Sequence, residues 1–152
     1  MTRTTAREIA IQLGFSVVMS EDFAEDVLDS FFEEEHYASL AAENSLYEQY
    51  PDKRQMEYIH SIVRLIFDHR LELDAYIEKY AKGWKTSRIS RTASAVMRCA
   101  MCEILYMDDI PNAAAINEAV ELAKKYEDED VVAFINGVLG GFVRGELEAK
   151  EE

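Results

Sequence analysis

Apolar residues recur every three to four positions along most of the chain, and no stretch alternates residue by residue. That spacing predicts amphipathic helices rather than strands. The first helix opens at Thr5-Ala6-Arg7-Glu8, where Thr and Glu stand at capping-box spacing, and would bury Ala6, Ile9, Ala10, Leu13 and Val17. A second begins near Ser20 and carries Phe23, Val27, Leu28 and Phe31 ahead of the acid run 33–35. Residues 36–52, HYASLAAENSLYEQYPD, follow no period and read as a loop with short turns. A strong helix over 53–69 presents Met56, Ile59, Val63, Ile66 and Phe67, and another over 71–81 is stopped by Gly83. After a linker at Trp84 come helices over 90–107, 112–126 and roughly 131–145, with Asn112 and Asp130 as the caps of the last two.

About seven helices joined by short connections predict an all-α bundle, and the turn near Gly83 suggests two packed halves within a single domain, 1–152. The last helix has an apolar face of Phe134, Ile135, Val138, Leu139 and Phe142, flanked by Ala133, Gly137, Gly140 and Gly141. An interior glycine costs roughly 0.8–1 kcal/mol against alanine. Close approach by a neighbouring helix is the expected offset at Gly137, whereas Gly140, Gly141 and Gly145 also fit a fraying end.

Charge changes the picture. The 152 residues carry a net charge of −14, which argues against general nucleic-acid binding. The distribution is uneven: residues 21–50 carry −10, while 84–107 carry +3. From Lys79 to Cys102 there is no acid, against six bases: Lys79, Lys82, Lys85, Arg88, Arg91 and Arg98. This is either a lull in an acidic surface or a local basic site on a protein that repels non-specific polyanions. No run of eighteen apolar residues suggests a membrane span, and the start MTRTTAREIAIQLGF lacks signal-peptide features. A cytoplasmic protein that does not engage membranes is expected.

Little in the chain points to catalysis. Cys99-Ala100-Met101-Cys102 has CxxC spacing but lies mid-helix, away from the helix N-terminus that would lower a thiol pKa. His36, His60 and His69 show no metal-ligand spacing. The cysteines are therefore expected to be structural and reduced, with no metal or cofactor and no enzymatic activity. On the first helix, Arg3, Arg7, Gly14 and Val18 form a strip with Phe15 at its edge. Two bases beside an aromatic ring suit single-stranded nucleic acid, with charge for phosphate and a ring for stacking, although Phe15 also fits a core position. In IPNAAAINEAVELAKKY (110–126), Asn117 and Glu118 lie off the apolar face, pointing outward or towards another element. Arg98 is the leading partner for Glu118.

INEAVELAKKY (116–126) followed by FINGVL (134–139) resembles the signature of the NusB family of bacterial transcription antitermination factors. AVMRCAMCEI (95–104), DIP (109–111) and AREIAIQ (6–12) support it, and the match covers most of 84–143 together with the first helix. The resemblance implies a seven-helix all-α protein of two three-helix subdomains. It also implies binding of boxA-type RNA in ribosomal RNA leader transcripts, together with the ribosomal protein NusE, in a complex that helps RNA polymerase resist termination. RNA contacts are then expected at Arg3, Arg7, Asp130 and Phe134, and NusE near Arg88 and Arg91. Arg98, Asn117, Glu118, Asn136 and Gly137 belong to the matching motifs. The runner-up is a protein-interaction module on the same fold, a homodimer included, with little intrinsic RNA binding.

Overall fold

The computed structural model describes residues 1–20, 22–84 and 89–148. Among these the chain forms seven α-helices and no strand. It divides into two compact units, Met1–Asp68 and His69–Glu152.

In the first unit, α1 spans Arg3–Met19 and buries all five expected apolar residues together with Ile11. It starts earlier than the capping-box spacing suggests. Thr2 is the cap, and its hydroxyl accepts from Thr5 N at 3.1 Å, satisfying one of the orphan donors of the first turn. Helix α2 spans Ala24–Phe31 and likewise departs from expectation: Phe23 is its cap residue, not part of its buried face. The Phe23 ring is 69% exposed and lies 6.2 Å from that of Phe67.

The segment 36–52 is more ordered than its lack of period suggests. It contains most of a short helix, α3 (Glu34–Leu40), and a 3-10 turn at Ser45–Tyr47. Local caps start both. The Glu33 carboxylate accepts from Glu35 N (3.1 Å) and His36 N (2.9 Å), and Asn44 Oδ1 accepts from Leu46 N (2.9 Å). Aromatic packing holds them. Tyr37 is buried against Phe31, Phe32, Tyr47 and Tyr50, with centroid separations of 5.2–5.7 Å. The Tyr37 and Tyr50 hydroxyls donate to the carbonyls of Gln49 (2.9 Å) and Phe32 (2.8 Å), so loop backbone acceptors find partners without a regular helix. Each such bond contributes about 0.5–1.5 kcal/mol. Burial pushes the Tyr37 phenol up to about 12.

Helix α4, Lys53–Tyr80, joins the two helices expected over 53–69 and 71–81. The break between them survives as a single non-helical residue, His69 (φ −112°, ψ 15°). The two units divide here rather than at Gly83. In the first unit α4 buries Tyr58, Ile59, Ile62, Val63 and Ile66. Gly14 of α1 meets it closely: a Cβ there would stand 2.7 Å from Ile66 Cδ1.

In the second unit, Gly83 takes φ +86°, a left-handed conformation that turns the chain after α4. Helix α5 (Arg91–Tyr106) is capped by Ser90, whose hydroxyl accepts from Ala93 N (3.0 Å) and donates to Glu127 (2.6 Å). Cys99 and Cys102 are buried on α5 as thiols rather than a disulfide, as expected of structural cysteines. Helix α6 spans Asn112–Ala123, with Pro111 rather than Asn112 in the cap position. It stops short of Tyr126, which is 49% exposed.

Helix α7 runs Glu129–Phe142 with Asp128, not Asp130, as cap residue. Glu129 and Asp130 instead sit in its first turn, where carboxylates favour the positive end of the helix dipole. Ile135, Val138, Leu139 and Phe142 are buried, as the apolar pattern requires. The chain continues as a π-helix, Val143–Glu148, packed near Tyr80; a Cβ on Gly145 would fall 2.7 Å from Tyr80 Cζ. Gly137, in contrast, has nothing among the described residues within 4 Å of a would-be Cβ, so none of their helices packs against it.

Candidate nucleic-acid interface

The candidate residues form two groups, one in each unit. In the first unit Arg3 and Arg7 stand one helical turn apart on α1 and so share a face. Both guanidinium groups lie over the Tyr58 ring of α4, with Cζ 4.2 Å from the centroid for Arg3 and 5.8 Å for Arg7. This is cation–π geometry, which holds positive charge in place without neutralising it. The Arg3 Nε also donates to Gln55 Oε1 at 2.8 Å.

The two arginines differ in access. Arg3 is half-buried, whereas Arg7 is only 6% exposed, leaving it little surface for a phosphate. Arg7 is thus better placed to hold Tyr58 than to meet a ligand. Phe15 is half-buried on the same helix. Tyr58 and Gln55 went unnoticed in the sequence. Pairing of a cation with an aromatic was the only available signal, and eight tyrosines compete for it.

In the second unit, Asp130 is exposed in the first turn of α7, and Phe134 follows one turn later, half-buried. The Phe134 ring packs on Trp84, with centroids 4.6 Å apart and planes inclined by 37°. Asn136 and Gly137 are exposed on the same helix. The expectation that Gly137 seats a neighbouring helix is therefore wrong among the described residues; the close approach falls at Gly141 instead, where a Cβ would stand 3.4 Å from Tyr80 Cδ1.

Arg91 is exposed at the start of α5, and Arg88 lies outside the described residues. Arg98 does not take the Glu118 pairing expected of it. Its Nε donates to Asp74 Oδ1 on α4 at 2.8 Å, with the arginine side chain only 12% exposed, so the pair ties α5 to α4. Asn117 is exposed and Glu118 half-buried on α6. Burial pushes the Cys102 thiol well above its ordinary value, which keeps it protonated and unreactive. Among the described residues no group of three or more His, Cys, Asp or Glu side chains is placed to hold a metal ion. No helix among them is long and apolar enough to cross a membrane. The first group offers charge held beside an aromatic ring, and the second a carboxylate one turn from an aromatic pair.

The comparisons with known proteins agree on one family. The family model described as NusB family matches residues 4–144. A protein of Acetivibrio thermocellus named transcription antitermination protein NusB is 40% identical over 148 residues, covering 97% of this chain and 92% of its own. One of the same name from Ruminiclostridium cellulolyticum is 38% identical over 147 residues, with coverage of 97% and 92%. A solved structure of T. maritima NusB shares the fold, with a TM-score of 0.76, 24% identity, and coverage of 99% of this chain and 96% of that one. Helix order, motif placement and near-complete coverage lead to the same place: the chain belongs to the NusB family.

Proposed function

We propose that this chain is a transcription antitermination factor. It binds boxA-type single-stranded RNA in ribosomal RNA leader transcripts together with the ribosomal protein NusE, and the complex helps RNA polymerase resist termination. The observation that carries this reading is the near-full-length match to relatives named transcription antitermination protein NusB. The geometry supports it. Arg3 supplies charge for phosphate from the Tyr58–Gln55 seat, with Arg7 packed on the same Tyr58 ring. On α7, Phe134 supplies a ring for a base and Asp130 an acceptor for base N–H groups. Phe15 adds a second ring on α1. NusE docks near the start of α5, by Arg88 and Arg91. The protein acts by binding and not by catalysis.

One observation favours the runner-up, a protein-interaction module that works through protein contacts alone. The chain carries −14, and one of its two N-terminal arginines is buried. A mobility shift with boxA-type RNA, with and without NusE, separates the two. The antitermination reading expects a weak shift for the chain alone and a tight one with NusE. No shift under either condition would leave the protein-only reading.

A further inference from the structure

We propose that Trp84 is an RNA-contacting residue: its indole and the Phe134 ring form a two-ring platform on which an unpaired base of single-stranded RNA stacks. The inference rests on the RNA-binding reading above and adds to it a residue and a mode of contact.

The placement of Trp84 carries the argument. Trp84 follows the Gly83 turn directly, and its backbone N donates to the Ala81 carbonyl at 3.2 Å, so a closed turn at the end of α4 sets the backbone from which the ring projects. Phe134 of α7 backs it at 4.6 Å. Indole is the largest apolar side chain, and a purely structural tryptophan is normally well covered with its N–H paired. Trp84 is instead 41% exposed, although one side of it already packs on a ring. A half-open aromatic pair is what base stacking uses, because every base offers a π-face and stacking tolerates sequence.

Electrostatics point to the same ligand. Trp84 lies in the stretch from Lys79 to Cys102 that contains no acid in an otherwise acidic chain. Lys82, two residues before it, and Arg91, at the start of α5, are both exposed. Aromatic surface within a basic stretch fits a single strand, whose backbone needs cations and whose bases need rings.

The chain contains a single tryptophan, so its emission reports on Trp84 alone. The full-length protein is titrated with end-labelled boxA-type RNA in the presence of NusE that carries no tryptophan, following label anisotropy and tryptophan emission together. Heparin serves as a polyanion without bases. The expected result is quenching that follows the anisotropy curve with RNA and is absent with heparin. Trp84→Ala should weaken RNA binding about 5- to 150-fold, the range for loss of one stacked base, while Trp84→Phe should retain most of it. RNA binding with unchanged emission, or equal quenching by heparin, would overturn the platform while leaving the RNA-binding reading intact. Absence of any anisotropy change would overturn both. The emission of the unsubstituted protein decides the matter even if Trp84→Ala fails to fold.

Discussion

Two glycines that look alike in the sequence are expected to respond in opposite directions to the same substitution. Gly137 is the ninth residue of the fourteen in α7, exposed, with nothing among the described residues within 4 Å of a would-be Cβ. Gly137→Ala therefore meets no clash and gains the helix preference of alanine, about 0.8–1 kcal/mol. Gly14 lies within α1 and is buried, and a Cβ there would stand 2.7 Å from the tip of Ile66, a side chain only 1% exposed. Overpacking of that kind costs roughly 1–3 kcal/mol, and the gain in helix preference offsets only part of it. Gly14→Ala should thus destabilise by up to about 2 kcal/mol. Urea denaturation followed by far-UV circular dichroism reads both. With a slope near 2 kcal/mol per M, Gly137→Ala should raise the midpoint by about 0.5 M and Gly14→Ala should lower it. A lowered midpoint for Gly137→Ala would mean that α7 is packed against something on that face. A raised midpoint for Gly14→Ala would refute the close contact of α1 with α4.

Other expected outcomes test the charge and burial arguments. Arg3→Ala should weaken binding of boxA-type RNA and flatten the dependence of log K on log salt by about 0.7, as for loss of one phosphate contact to a single strand. Arg7→Ala, its parent being buried on Tyr58, should instead lower the melting temperature, and an unchanged melt would show that Arg7 braces nothing. His60 stacks on Phe32 at 5.9 Å, and burial, aided by the Arg64 charge, holds its imidazole below the ordinary value against the pull of Glu25 and Asp29. The unfolded chain then binds the proton more readily. Stability should be lost as pH falls through the window below about 6.5, and His60→Gln should flatten that loss. Neither cysteine should react with a thiol reagent in the native protein and both should after unfolding; rapid native reaction would contradict their burial.

Long periodic segments announced themselves in the sequence, because burying one helical face demands apolar residues at fixed spacing. The cores of α1, α4, α5 and α7 follow directly from that pattern. Helix α3 did not, since seven residues hold too few turns to show a period, and what holds it is the Tyr37 cluster and the Glu33 cap. Phe23 misled for a related reason. Its spacing suits a buried face, but it precedes the first turn of α2 and points into solvent. Arg98 pairs with Asp74 of α4 rather than Glu118 of α6, a choice between neighbouring helices that a wheel of α6 cannot contain. The candidate interface was legible in the same partial way. Arg3 and Phe134 stood out by residue type and motif, whereas their seats on Tyr58 and Trp84 come from elements distant in sequence.

On the proposed function, this acidic chain recognises a particular single-stranded RNA in company with the ribosomal protein NusE. The direct measurement is a competition: NusE and the full-length chain are mixed with labelled boxA-type RNA and challenged with unlabelled boxA-type RNA or a scrambled RNA of equal length and composition. The cognate competitor should displace the label at concentrations at least about tenfold lower than the scrambled one, a difference of about 1.4 kcal/mol. Labelled RNA, chain and NusE should also migrate as one complex. Equal displacement by both competitors, or a complex of NusE and RNA that excludes this chain, would contradict the proposed function.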